Sequence, residues 1–94
     1  TTVDLTGNQL TKIRHMFCSK LRTLILDNNL IDDCDIRQHD GLYHISAVKN
    51  KLKDLKGFEN LKSLWKLNLA ENQIASLKGI KNCPKLECLI LEKN

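Results

Sequence analysis

The sequence predicts a single α/β solenoid. Short parallel strands stack into a concave sheet, and 3₁₀ or short helical turns close each coil on the convex side. Three observations carry this reading. Five asparagines, Asn8, Asn29, Asn50, Asn72 and Asn94, recur at intervals of 21, 21, 22 and 22 residues. Each sits in one aliphatic frame, clearest as Leu64-x-x-Leu67-x-Leu69-x-x-Asn72-x-Ile74 and repeated as Leu21-x-x-Leu24-x-Leu26-x-x-Asn29-x-Ile31 and Leu42-x-x-Ile45-x-Ala47-x-x-Asn50-x-Leu52. Finally, aromatics make up only 4% of a chain that is 41% hydrophobic, so leucine and isoleucine must carry the packing.

A fixed period in this range, with this frame, is the signature of a leucine-rich repeat array. The crossover rule for parallel strands makes the solenoid right-handed. Ninety-four residues allow one domain, 1–94, of four to five repeats. The units are 1–20, which lacks its opening leucine, then 21–41, 42–63 and 64–85, and a partial unit 86–94. Leu55-Lys56-Gly57-Phe58 is echoed by Leu77-Lys78-Gly79-Ile80, as repetition requires. The array is entered and left in mid-unit without a polar cap. That predicts part of a longer repeat protein, or a chain whose ends are covered by neighbours; this stretch alone would aggregate or be marginally stable.

Within each unit the Leu-x-Leu stretch reads as a strand of period two, with its leucines inward and the intervening residues on the concave face. The asparagine turns the chain, and its amide can satisfy backbone groups that the turn exposes. The second half places apolar residues three apart, which suits 3₁₀ or short helical turns. The inward columns are Leu21/Leu42/Leu64/Leu86, Val3/Leu24/Ile45/Leu67/Leu89, Leu5/Leu26/Ala47/Leu69/Leu91, Leu10/Ile31/Leu52/Ile74 and Ile13/Cys34/Leu55/Leu77. Unit 21–41 breaks the spacing after Asp35, which predicts a bulged or loosely packed convex segment. Pro84 precedes the last strand, where its missing N–H does little harm.

Net charge is +4, with Asp32, Asp33, Asp35 and Asp40 crowded in one loop and Lys49, Lys51, Lys53 and Lys56 in the next unit. A solvated surface of mixed sign accounts for this, and a patch for an acidic partner is the sharper alternative. There is no apolar run of about 18 residues and hence no membrane span. Cys34, Cys18 and Cys83 fall on apolar columns and are expected to be buried and reduced, with Cys88 facing outward. Cys18 and Cys83 lie three repeats apart, roughly 14 Å, too far for a disulfide. Reduced thiols favour a reducing compartment. His15, His39 and His44 are isolated in sequence; His39 falls near a core column and His44 on the concave side. The aspartates lack the glycine and the distal glutamate of a calcium loop. No cofactor, metal or small-molecule substrate is expected. No phosphate loop, nucleophile elbow or carboxylate dyad points to an enzyme.

The run from Leu61 to Ile80, with its 22-residue period and Leu-x-Gly-apolar turn, resembles the SDS22-like class of leucine-rich repeats. The likeness covers nearly the whole chain, and unit 21–41 departs from it. The class includes protein phosphatase 1 regulators, the U2 snRNP A-prime protein, an axonemal dynein light chain, and ciliary and centrosomal scaffolds. The resemblance implies an interaction module in the cytoplasm (cytoskeletal or ciliary) or, alternatively, in the nucleus.

Four outward columns are readable: Arg22/Tyr43/Trp65/Glu87, Thr2/Thr23/His44/Lys66/Cys88, Asp4/Ile25/Ser46/Asn68/Ile90 and Thr6/Asp27/Val48/Ala70/Glu92. Tyr43 and Trp65, the chain's one tyrosine and one tryptophan, occupy equivalent positions in adjacent units and should lie side by side. Exposed aromatics are enriched in binding hot spots. A protein-docking surface is therefore expected from Ile25, Asp27, Tyr43, His44, Val48, Trp65, Lys66, Asn68, Ile90 and Glu92. The alternative is a ribonucleoprotein component like the U2 snRNP A-prime protein, supported by the positive charge. Against it, Lys49 to Lys56 fall mainly beyond the strand, and no aromatic-basic stacking platform is legible.

Overall fold

The computed structural model describes residues 1–14, 20–37 and 39–94. Five three-residue strands, β1 (Thr2–Asp4), β3 (Thr23–Ile25), β5 (His44–Ser46), β6 (Lys66–Asn68) and β7 (Cys88–Ile90), form one sheet in the order β1-β3-β5-β6-β7. All its pairs are parallel, and the register sets Val3, Leu24, Ile45, Leu67 and Leu89 side by side. Two-residue strands β2 (Lys12–Ile13) and β4 (Asp33–Cys34) pair separately, beyond the asparagine turn. The chain is a parallel-strand solenoid of about four coils. Among the described residues, no helix is long and apolar enough to cross a membrane.

The opening leucine and the next inward residue are three apart, not two, so strict alternation cannot hold there. The backbone resolves this in every coil by doubling a donor. Tyr43 N–H and His44 N–H both donate to the Arg22 carbonyl, at 2.8 and 3.1 Å. Trp65 and Lys66 share Tyr43 O, and Glu87 and Cys88 share Trp65 O. This bulge-like step re-aims the residue before each strand outward.

The asparagines form the expected ladder. Asn29, Asn50 and Asn72 are buried. Each side-chain oxygen reaches back one coil to accept a backbone N–H: Asn29 from Leu10, Asn50 from Ile31, Asn72 from Leu52 and Asn94 from Ile74, at 2.9–3.0 Å. Each Nδ2 donates to strand-end carbonyls, such as Leu26 O from Asn50 and Ala47 O from Asn72. Buried backbone groups that no strand pairs are satisfied in this way. Before each rung stands a left-handed residue: Gly7, Asn28, Lys49, Glu71 and Lys93. Its N–H bonds the next coil in four of the five, as Lys49 does to Ala70 O at 3.1 Å.

The convex side takes the 3₁₀ form of the expectation, one turn at a time. It holds single i→i+3 turns, Leu55–Phe58, Leu61–Leu64 and Cys83–Leu86, and no helix among the described residues. The spacing of three was thus a real signal, but of isolated turns. They need no continuation because their neighbours bond the adjacent coil, as Asn60 N–H does to Lys81 O at 2.9 Å. Pro84 sits second in the Cys83–Leu86 turn, a position its fixed φ suits. Gly57 has φ +101°, and a Cβ there would lie 1.9 Å from the Cys34 carbonyl oxygen. The Leu-x-Gly-apolar echo therefore marks where one coil's backbone presses on the coil before it.

Unit 21–41 is close-packed rather than loose, a correction to the expectation above. It drops one residue between Cys34 and Ile36, so Ile36 takes the column of Phe58 and His39 that of Leu61. Ile36 is fully buried and His39 is 6% exposed. Turns Ile36–His39 and His39–Leu42 keep the path. At the last coil the inward columns are not covered: Leu77 is 56% exposed and Leu89 36%. Cys83 is half-buried for the same reason, since few residues stack beyond it.

Candidate functional site: an aromatic border on the concave sheet

The donor doubling before each strand sets the border column Arg22, Tyr43, Trp65 and Glu87 at one edge of the concave face. Tyr43 and Trp65 stack there, with ring centroids 5.6 Å apart and planes 8° from parallel. That separation is close to the spacing of adjacent strands. The stack therefore runs along the solenoid axis. Tyr43 is 50% exposed and Trp65 37%. Trp65 Nε1–H donates to Glu87 Oε2 at 2.7 Å, and Arg22 Nη1 donates to the carbonyls of Leu21 and Gly41, both at 3.3 Å. The column is thus cross-linked from coil to coil by side chains.

An open cleft of about 780 Å³ lies against this border. Arg22, Asp40, Gly41, Tyr43, Ser63, Trp65 and Lys85 line it. Arg22 was legible as a member of the aromatic column. Asp40, Gly41, Ser63 and Lys85 come one or two residues before an opening leucine, a position the strand frame does not describe. Lys85 brings a basic group and Asp40 an acidic one beside the aromatics, a juxtaposition the sequence did not reveal because both fall between the frames of successive units.

The remaining predicted residues divide. His44 and Lys66 are register neighbours, as are Ile25, Asn68 and Ile90 through Ser46. Ile25, His44, Val48, Lys66 and Ile90 are half-buried and Glu92 is exposed. His44 titrates below the usual histidine range, chiefly through burial and then the Lys66 charge, with Asp27 opposing. Asp27 holds the structure together: its Oδ1 accepts Ser46 Oγ at 2.7 Å and Val48 N–H at 2.8 Å. Asn68 Oδ1 accepts Ala70 N–H at 3.2 Å, and Asp4 does the same for Thr6 at 3.0 Å, where the Thr6 hydroxyl holds its carboxyl below the usual range. These side chains end strands, a role that an outward position alone does not reveal.

On the convex side a second groove, about 370 Å³, is lined by Lys12, Asp32, Asp33, Asp35 and Arg37 among others. Its charges meet one another: Lys12–Asp32 at 3.7 Å, Arg14–Asp33 at 2.9 Å and Arg37–Asp35 at 2.9 Å. The Arg37 hydrogen bond holds Asp35 below the usual carboxylate range. Beneath it, burial and then Asp33 and Asp35 push the Cys34 thiol up to about 12. Cys34, Cys83 and Cys88 are free thiols. The expectations for Cys18 and His15 lie outside the described residues.

No family model matches the chain, and no solved structure matches it. A leucine-rich repeat-containing protein of Schizosaccharomyces pombe is 37% identical in an alignment that covers 70% of this chain. The chain spans 11% of that relative's length. Five parallel strands in one register, a buried asparagine ladder and a leucine-rich repeat relative agree: this chain is a leucine-rich repeat solenoid.

Proposed function

We propose that this array is a protein–protein interaction scaffold that docks a protein partner on its concave face, anchored at the Tyr43–Trp65 border. The observation that carries this reading is the stacked, part-exposed aromatic pair lining a cleft of about 780 Å³. Rigid aromatic anchors in such positions supply much of the energy of binding at little entropic cost. Ile25, His44, Val48, Lys66, Ile90 and Glu92 would extend the contact across the sheet. Asp27 and Asn68 would support it through the strand ends they hold. The repeat frame supports a place in the SDS22-like class, and with it a cytoplasmic setting, cytoskeletal or ciliary. Scaffolding needs no cofactor and no catalysis.

The test compares wild type with Trp65→Ala and with Lys53→Ala, a substitution away from the border. Partners are captured by each, and the strongest is then titrated against all three purified proteins. The reading expects Trp65→Ala to weaken binding more than tenfold, on the order of a hot-spot residue, and Lys53→Ala to leave it intact. Equal affinity for all three, with the fold preserved, would remove the border from the site. A second reading, a ribonucleoprotein component resembling the U2 snRNP A-prime protein, draws on Arg22 and Lys85 beside the rings. It requires RNA affinity that falls steeply with salt.

A further inference from the structure

Resting on the docking role proposed above, we infer that Glu87 is a positioning residue: it selects one of two orientations that the stack on Tyr43 leaves open to the Trp65 indole. The χ2 torsion of a tryptophan side chain is broad and roughly two-fold. A half-turn about it keeps the ring in its plane, which lies 8° from that of Tyr43. Aromatic stacking tolerates an offset ring, so the turned indole still packs on Tyr43. The half-turn exchanges the N–H edge for the benzo edge. Stacking therefore fixes the plane of the ring and not which edge faces outward. A hydrogen bond does discriminate, because it weakens steeply when misaligned. Trp65 Nε1–H donates to Glu87 Oε2 at 2.7 Å, a short bond strengthened by the carboxylate charge.

The main chain places the acceptor. Glu87 N–H and Cys88 N–H both donate to the Trp65 carbonyl, at 3.0 and 3.1 Å, as Trp65 and Lys66 do to Tyr43 O. Glu87 thus starts its side chain beside Trp65, one coil on, and its carboxylate reaches back to the indole. Both residues are exposed, and an exposed pair of this kind adds little to folding. It has a definite consequence for recognition. The indole's one polar atom is satisfied within the chain, and the ring meets a partner already turned. Without Glu87 the two orientations share the population. A partner that fits one of them then binds more weakly, in proportion to the fraction turned away.

Trp65 is the chain's one tryptophan, so its indole N–H can be followed by NMR without ambiguity. Wild type is compared with Glu87→Ala and Glu87→Gln, the second of which keeps an acceptor oxygen in place of the carboxylate. Wild type and Glu87→Gln should each give one sharp indole signal, with nuclear Overhauser contacts that set the N–H edge toward the side chain at position 87. Glu87→Ala should split or broaden that signal while the rest of the spectrum stays folded. A single sharp signal in Glu87→Ala, with the wild-type contacts to Tyr43, overturns the inference. The protein captured by wild type in the docking test is then titrated against all three. Its affinity should fall at least about twofold in Glu87→Ala, the loss when half the rings are turned away, and stay near wild type in Glu87→Gln. Equal loss in both variants would make Glu87 a direct contact, and no loss in either would make the ring's orientation irrelevant; each result overturns the positioning role. The docking role is judged apart from this, by whether Trp65→Ala loses the same partner.

Discussion

The ladder column and the border column share one period but not one chemistry. Asn29, Asn50 and Asn72 recur as the same residue, are buried, and place their amides on backbone groups of their own and the preceding coil. Arg22, Tyr43, Trp65 and Glu87 recur at the same interval as four different residues. Tyr43, Trp65 and Glu87 touch side chain to side chain, Arg22 bonds the Leu21 and Gly41 carbonyls, and all four are exposed. Uniform columns therefore mark what the coil needs to close. Varied columns mark what the coil is free to present. Asp27 bridges the two, since it stands in an outward column and does inward work.

Substitutions should break this contrast in a definite order. The largest effect is expected from Asn50→Ala, which strands the buried Ile31 N–H and takes one of two donors from the Leu26 and Val48 carbonyls. It should cost about 3 kcal/mol in chemical denaturation, because an unmet buried group carries its full desolvation penalty. Asp27→Ala comes next, at about 1–2 kcal/mol, through loss of the Ser46 and Val48 bonds. Asp27→Asn should recover most of that, since the amide oxygen can still accept both. A full loss in Asp27→Asn would show that the charge, not the turn, is what matters there. Trp65→Ala should cost about 1 kcal/mol of stability, the value of one stack, while removing the anchor of the docking face.

Titration should produce the smallest change. The folded pKa of His44 is depressed, so the unfolded chain takes up that proton first as pH falls. The sign follows: the contribution is present above the ordinary value of 6.5 and is lost as pH falls from there through the depressed folded pKa. His44→Gln should flatten the pH dependence that opens near that value and extends below it. Thiol labelling sharpens the inside–outside distinction independently. Iodoacetamide at mildly alkaline pH should modify Cys88 in the native protein and spare Cys34, whose thiolate is suppressed. Fast labelling of Cys34 would place that column at the surface.

The columns, the strand register and the pairing of Tyr43 with Trp65 were legible because each depends on residue type repeated at a fixed spacing. What escaped the sequence depends on backbone conformation. Lys49, Glu71 and Lys93 adopt left-handed φ of 58°, 56° and 57°. Neither lysine nor glutamate signals that conformation, so the turn's geometry was hidden behind its asparagine. The β2–β4 pair was invisible because two residues carry no periodicity. The cleft needed Gly41, Ser63 and Lys85, which fall between the frames of successive units. The missing residue after Cys34 broke the spacing and read as a bulged or loosely packed segment. It proved to be a shortcut, with Ile36 and His39 filling the same columns as Phe58 and Leu61.

Hydrogen exchange of side-chain N–H groups, followed by NMR in the folded protein, tests the inward–outward division most directly. Slow exchange is expected for the amides of Asn29, Asn50 and Asn72, and faster exchange for the indole N–H of Trp65, which holds Glu87 at the surface. Freely exchanging amides, or an indole protected as strongly as they are, would contradict the account.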